Sequence, residues 1–583
     1  MLMRKKQQPR NASENQGFAA HGKDIQLQSW TVGALPLINR ILQQMELEQF
    51  LQSHLKKDGP TMKLPTSAGL LLLVRNILLS REPIYGVGEW AQRHVPELLG
   101  IGRGQLAYLN DDRVGRCLDR LFDGLDNSLI MDVVRHVIEK FNLSLDELHN
   151  DSTTVTFHGD YDESTQESWR RGLKTLGITW GHNKDHRPDL KQLLYTLTVT
   201  EDGGVPVYFT THSGNTADDT THIKTWELLR ELVGKPDFLY VADCKLASTK
   251  NLRAIDSRGG RFITVLPRTR REDKAFRRRL TDSTDALSWK LLYEICDDDG
   301  DVIDRLSVVD ENFRTSDGFR LLWYFSQRKA EQDAKTRVRQ LDQLHGELQE
   351  LQKRLRSKRT RFRSRSKVEQ ELEKLLAESP VSHLLVVAIQ EHDVVTYKQA
   401  NRGRPSAETP YLRQVEKRYS LQIDPDADKL SACAFSDGKF PLMTNVDDLG
   451  AEEILRAYKR QPFVEKRFSQ FKNDFAVAPV FLKDVARIQA LLGVYFFALI
   501  VQTLLERELR LQMKKRKIDD LPLYPEGRPC KAPTTRRVVD LLEPVQLHEL
   551  CKGNSKETLV TTLNKAQRNV LSLLGFAPNE YGR

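Results

Sequence analysis

The sequence predicts an α/β fold, interrupted by a large α+β insertion and preceded by an all-helical N-terminal domain. Three observations carry that prediction. Strand-like and helix-like runs alternate between Leu148 and Pro267 in the order strand, strand, strand, helix, strand, helix, strand. A strongly charged segment with leucines at heptad spacing comes later. From Gly33 to about Phe141, apolar residues recur at helical spacing.

Residues 1–28 are poor in apolar side chains and rich in Gln, Asn and Lys, which predicts a disordered basic tail without the apolar stretch of a signal peptide. Over 29–145, LPLINRILQQMELEQFLQSHL puts Leu37, Ile38, Ile41, Leu42 and Met45 on one helical stripe, and further helical patterns follow, broken by turns such as LGIGRG. Such a domain serves either DNA-end binding, through a helix-turn-helix, or dimerisation; periodicity does not separate the two. Over 146–270, ELHNDSTTVTF, KQLLYTLTVT and VPVYFTTHS read as strands, with EDGG as the hairpin turn between the second and third. THIKTWELLRELVG reads as a helix closed by Gly234, DFLYVAD as a short buried strand, KLASTKNLRAIDSRGG as a helix and RFITVLP as a strand. That order is the order of a ribonuclease-H-like core.

Residues 271–440 form the insertion. Within it Leu341, Leu344, Leu348, Leu351 and Leu355 make a coiled-coil seam, with Phe362 one heptad on. The run KRLRSKRTRFRSRSK, Lys353 to Lys367, is either the end of a solvated helical hairpin or an arm that contacts phosphate through Arg359, Arg361, Arg363 and Arg365. The core resumes over 441–515, and 516–583 reads as a C-terminal helical segment after a Pro-rich loop. The most apolar run, Ile488 to Leu505, contains Gln489 and Gln502 and is expected to be a core helix, with no membrane as a partner.

At 583 residues the chain exceeds what one hydrophobic core supports, so several domains are expected. Its 89 Lys and Arg against 80 Asp and Glu give a net charge of +9, compatible with nucleic acid as a partner. Six cysteines stand singly, which supports neither a zinc ribbon nor a disulfide framework and suits a reducing cytoplasm.

Three carboxylates stand out by position. Asp151 lies in the first strand of the core, Asp243 at the end of FLYVA, and Glu465 on AEEILRAYKRQPFVEKRFSQFK, expected as one helix. Clustered carboxylates demand hard cations, and two Mg²⁺ or Mn²⁺ ions held by Asp151, Asp243 and Glu465 suit in-line phosphoryl transfer. An Asp at a strand end is also an ordinary cap or turn residue. Tyr458, Glu465 and Lys472 are spaced by seven and so are expected on one helix face, Lys472 reaching a phosphate and Tyr458 bonding a phosphate or stacking on a base; the plain alternative is an amphipathic helix with Tyr458 in the core. His182, Lys184 and Arg187 share a loop before a strand with Asp185 and Asp189. Its ligand spacing is poor for zinc, and it reads as a basic loop touching DNA, with either Asp a weaker alternative for a triad place.

At these residues the chain resembles the DDE transposases of the insertion-sequence-four superfamily, whose signature is Y-x2-R-x3-E-x6-K. Tyr458, Glu465 and Lys472 match it; the Arg position holds Gln461, with Arg460 one place earlier. DGKFPLMTN from Asp437, LHNDSTTVTFHG around Asp151, GHNKDHRPDLKQL around Asp185, YVADCKLASTKNL around Asp243 and VGALPLINRIL near the start resemble a subgroup of the same enzymes, so the likeness runs from about residue 30 to 510. It implies Asp151, Asp243 and Glu465 as the catalytic and metal-holding triad, and Tyr458, Arg460 and Lys472 as DNA contacts. It further implies double-stranded DNA (terminal inverted repeats and target) as partner, a homodimer in the synaptic complex, and a bacterial, nucleoid-associated cytoplasmic location. A catalytically inactive DNA-end-binding protein and a ribonuclease-H-like nuclease are the competing readings; the intact triad weighs against the first and the long insertion before Glu465 against the second.

Overall fold

The computed structural model describes residues 25–581, except positions 61, 126, 171, 282–286, 298, 358, 479, 481, 525, 553–554 and 579–580. The expected N-terminal tail thus lies outside the described residues up to 24, and from Ile25 the chain is a strand. Two compact units divide it: residues 1–263 with 456–583, and residues 264–455.

The first unit opens with β1 (Ile25–Thr31), then α1 (Leu35–Gln44), α2 (Leu47–His54), α3 (Thr66–Leu79), α4 (Val87–Gln92), α5 (Asp111–Gly124) and α6 (Asn127–Phe141). The stripe read from the sequence faces inward, with Leu37, Ile38, Ile41, Leu42 and Met45 all buried. Asn110 caps α5 by accepting from the Arg113 N–H. Next come β2 (Glu147–Phe157), a small hairpin of β3 (Ser168–Arg170) and β4 (Leu173–Thr175), β5 (Lys191–Thr200), β6 (Pro206–Ser213), α7 (His222–Val233), β7 (Leu239–Ala242), α8 (Thr249–Asp256) and β8 (Arg261–Val265). Each element expected between Leu148 and Val265 is present in the expected order; the β3–β4 hairpin is additional. The strands lie side by side as β6-β5-β2-β7-β8. β2, β5 and β6 are antiparallel, whereas β7 and β8 run parallel to β2, as the two helical crossovers require.

The second unit contains α9 (Arg271–Thr281), β9 (Lys290–Cys296), β10 (Val302–Val309), β11 (Arg320–Ser326), α10 (Gln327–Arg356), α11 (Arg365–Glu378), β12 (Leu385–Gln399), β13 (Tyr411–Pro425), α12 (Ala427–Ser436) and β14 (Lys439–Thr444); α13 (Ala451–Tyr458) leads out of it. β9, β10, β11 and β14 form an antiparallel array in that order. The leucine seam finds its partner within the insertion. Leu344, Leu348, Leu351 and Leu355 of α10 pack with Phe362, with Val368 and Leu372 of α11, and with Tyr419 and Leu421 of β13. A narrow apolar stripe needs such a cover, and a helical hairpin laid on a strand pair supplies it.

The first unit resumes with α14 (Pro462–Ser469), a π-helical turn at Gln470–Asp474, α15 (Val485–Lys515), α16 (Thr535–Leu542), β15 (Gln546–Lys552), β16 (Ser555–Val560) and α17 (Lys565–Leu573). Helix α15 is long and apolar enough to cross a membrane, but 89% of its apolar window is buried inside the protein. It packs on α1, α3, α5 and β6, with Phe496 against Phe209, as a core helix does. The C-terminal segment is not purely helical. β15 and β16 form a three-stranded antiparallel sheet with β1, Ile25 pairing with Lys552 and Thr31 with Gln546. Short runs such as QLHELCK become strands because a partner arrives from the opposite end of the chain, which local periodicity does not register.

Candidate active site

The parallel pairing of β2 and β7 ends at Asn150 opposite Ala242, and the next residue along each strand is an aspartate, Asp151 and Asp243. Asp151 accepts a hydrogen bond from the Ser152 N–H at 2.7 Å. Asp243 caps the turn after β7 by accepting from the Lys245 N–H at 3.0 Å. Burial pushes the Asp151 carboxyl up to about 6, with the nearby Asp243 charge adding to the rise and Lys184 opposing it.

Lys184 comes from the His-rich loop and turns into this acidic neighbourhood. Its Nζ donates to the Ser152 carbonyl and hydroxyl, both at 2.7 Å, and stands 3.1 Å from Asp218 and 3.5 Å from Asp151. Burial works against the ammonium, but the fields of Asp151, Asp218 and Asp243 outweigh it and hold its pKa above the ordinary value. Asp218 is a site residue that the sequence reading did not single out. It accepts from the Ser152 hydroxyl at 2.9 Å, and its only sequence signal is the Asp218–Asp219 pair just before α7. Behind it, buried His222 lies 3.0 Å from the Tyr240 hydroxyl, and burial lowers its pKa to about 4, so it is neutral.

The signature segment is not one helix. It breaks at Lys459–Gln461 into α13 and α14, and Lys472 falls in the π-helical turn. Pro462 is the cause: it cannot donate inside a helix but suits the first turn of a new one, where it sits in α14. The expectation that Tyr458, Glu465 and Lys472 share a face of one regular helix is therefore corrected. Tyr458 ends α13, with burial raising the pKa of its hydroxyl and the charges of Asp243, Glu465 and Asp151, together with Cys244, raising it further. Glu465 is exposed on the first turn of α14. Lys472 donates to Asp185 at 2.6 Å.

α14 is fastened at both ends. Gln461, at the signature Arg position, donates from Nε2 to the Asn150 carbonyl at 3.0 Å, and its Oε1 is 3.0 Å from Nδ1 of His149. Arg460 binds Glu147 through Nε at 2.6 Å and Nη2 at 2.5 Å. At the far end buried Arg467 donates to the Gly203 and Gly204 carbonyls and pairs with Glu506 at 2.9 Å. Gly203 and Gly204 are the glycines of the EDGG turn and both hold positive φ, which glycine adopts at least cost.

Of the other expected DNA contacts, His182 is exposed and Arg187 forks onto Asp189 at 2.8 and 2.6 Å. Arg359, Arg361, Arg363 and Arg365 are exposed in the second unit, between α10 and α11 and at the start of α11; Arg365 pairs with Glu369 at 2.8 Å.

The donor chemistry around Asp151 and Asp243 suits a hard divalent cation, because the oxygens they offer are carboxylate oxygens, and the raised Asp151 reflects a buried carboxyl with a second acid, Asp243, nearby. Among the described residues no three His, Cys, Asp or Glu side chains are gathered closely enough to hold a metal, so Asp151, Asp243 and Glu465 do not form a closed ligand set here.

Comparison with known proteins gives two family matches. The family model described as a transposase DDE domain matches residues 146–501, and that of a domain of unknown function, DUF4277, matches residues 27–135. No curated protein matches. Among solved structures, a cryo-EM structure of a piggyBac transposase synaptic complex with hairpin DNA is similar at 8% identity and a TM-score of 0.34, over 88% of this chain and 82% of that one.

Proposed function

This chain belongs to the transposase DDE-domain family and is a transposase, an enzyme that cuts and transfers DNA strands; from that premise we propose that it is the transposase of a bacterial insertion sequence, of the YREK group in the insertion-sequence-four superfamily. The strand order β6-β5-β2-β7-β8, three antiparallel strands followed by two parallel ones, supports reading its core as ribonuclease-H-like. Its partners are the terminal inverted repeats and a target duplex, its working form is a homodimer at the synapse, and its place is the bacterial cytoplasm beside the nucleoid.

The observation that carries the reading is the parallel register of β2 and β7, which ends one residue before Asp151 and one before Asp243, with Lys184 3.5 Å from Asp151. Asp151, Asp243 and Glu465 would hold two Mg²⁺ or Mn²⁺ ions. When bound, the ions supply Lewis-acid stabilisation of the attacking and leaving oxygens. Water or a 3′-hydroxyl attacks phosphorus, one P–O bond forms and the bond to the leaving 3′ oxygen breaks. Lys184, already inside the acidic cluster, brings positive charge toward the phosphate. The Tyr458 hydroxyl, kept protonated by its surroundings, donates a hydrogen bond there. Gln461 and Arg460 hold the helix that carries Glu465.

The test uses purified full-length protein and a duplex containing an element end, with Mg²⁺ or Mn²⁺ present. Asp151→Ala, Asp243→Ala and Glu465→Ala are expected to abolish strand cleavage and to leave DNA binding nearly intact, because losing a carboxylate removes a metal ligand rather than a phosphate contact. Normal cleavage by Glu465→Ala would overturn the triad.

A further inference from the structure

The second unit carries an antiparallel ribbon in which β12 and β13 pair from Leu385 opposite Pro425 to Gln399 opposite Tyr411. At its base one face is filled: Tyr419 and Leu421 are buried, and Val387, Ile389 and Ile423 pack with them in the cluster formed with α10 and α11. Residues directly opposite share a face and alternate along the strand. Beyond Glu391 opposite Tyr419 the same face carries Asp393 opposite Lys417 and then, beside half-buried Gln399, Val395, Val415, Tyr397, Arg413 and Tyr411. These last five are exposed, Tyr397 at 66% and Tyr411 at 53%. The other face of this outer half is largely exposed as well, with Leu412 at 57%. An isolated two-stranded ribbon is marginal in water, so a long one bare on both faces is a surface built to be covered.

Its charge says by what. Lower down the ribbon, Lys417 pairs with Glu391 and Arg418 with Glu416. Over residues 396–414 the cations are Lys398, Arg402, Arg404 and Arg413, against the single acid Glu408. Among the described residues no carboxylate pairs with any of these four. A second copy of the ribbon would bring like charges together, whereas a duplex supplies a dense row of phosphates. The major groove of B-DNA is wide enough to admit a two-stranded β-ribbon.

We propose that the outer half of the β12–β13 ribbon is a DNA-docking arm that lies in a groove of duplex DNA. Lys398, Arg402, Arg404 and Arg413 take the phosphates, and Tyr397 and Tyr411 pack on the groove wall. The proposal rests on the reading of the chain as a DNA-transposing enzyme and adds a binding surface that the triad does not include.

The experiment measures full-length protein binding to a fluorescent duplex of about 30 base pairs by anisotropy, from about 50 to about 200 mM salt. Each phosphate contact contributes about 0.9 to the slope of log affinity against log salt, so Lys398→Ala/Arg402→Ala/Arg404→Ala/Arg413→Ala is expected to flatten the slope by about 3.6. Tyr397→Ala/Tyr411→Ala is expected to weaken binding at an unchanged slope. Hydrogen exchange of residues 391–418 is expected to slow when the duplex is added to wild-type protein, a readout independent of any variant's folding. An unchanged slope in the four-site variant, or unprotected ribbon amides, overturns the arm while the transposase reading stands. A four-site variant that loses self-association at unchanged slope assigns the surface to a second copy and also overturns it. Wild-type protein that binds no duplex overturns the parent reading and the arm together.

Discussion

Arg460 grips Glu147 with two prongs, Nε 2.6 Å from one carboxylate oxygen and Nη2 2.5 Å from the other. Glu147 opens β2 four residues before Asp151, and it also lies 2.7 Å from Nε2 of buried His149. The chain entering the Glu465 helix is thereby tied to the strand of Asp151 by protein contacts. Arg460→Ala leaves a buried carboxylate without its main partner. A fully buried pair broken this way costs about 3–5 kcal/mol; with the guanidinium a third exposed, about 2 kcal/mol is expected. The free energy of unfolding from urea titration should fall by that amount, with a lower midpoint, while DNA affinity at fixed salt stays unchanged. An unmoved midpoint with lost DNA binding would make Arg460 a phosphate contact instead.

The same carboxylate gives an acid-dependent share of stability. Burial alone would raise the Glu147 pKa, but hydrogen bonds from Arg460 and His149 hold it below the ordinary 4.5. A depressed folded value means that the stabilisation is present above about 4.5 and is lost as pH falls through the lower folded value. Between about pH 6 and pH 3, Glu147→Gln should therefore lose less stability than the wild type does. Parallel pH profiles of the urea midpoint would remove Glu147 from this role.

In the second unit, Leu348 is fully buried at the centre of the seam between α10, α11 and β13. Leu348→Ala removes its contacts and leaves a cavity, which costs about 3 kcal/mol at such a site. Leu341, only partly buried against the same cluster, should cost clearly less. Hydrogen exchange of α10 and α11 reports the difference; equal protection loss in the two variants would show that the seam does not hold the hairpin together.

Arg359, Arg361, Arg363 and Arg365 project from the turn of that hairpin, where Arg365 already has Glu369 as a partner. If they contact phosphate, replacing all four with Ala flattens the salt slope of end binding by about 3.6. An unchanged affinity and slope would leave this turn a solvated structural element.

The core strands and helices from Leu148 to Val265 are legible in the sequence because their signals are local: β-branched runs, the EDGG turn, and Gly234 after a helical repeat. Asp243 is legible for the same reason, as a carboxylate placed just after a short apolar strand. The break of the signature helix was also written there, in Pro462, but seven-residue spacing masked it. Other features depend on contacts between residues far apart in the chain. Lys184 read as a loop cation facing DNA, and only packing turned it toward Asp218, Asp151 and the Ser152 carbonyl. Arg460 read as a substitute for the signature arginine, and only the adjacency of α14 and β2 gave it to Glu147. β15 became a strand because β1 reached it across the whole length of the chain. Periodicity and turn chemistry report what each segment prefers by itself, so the sequence determined the elements and the order of the acids. Which cation meets which carboxylate is decided by burial and distance, and those exist only once the chain has closed on itself.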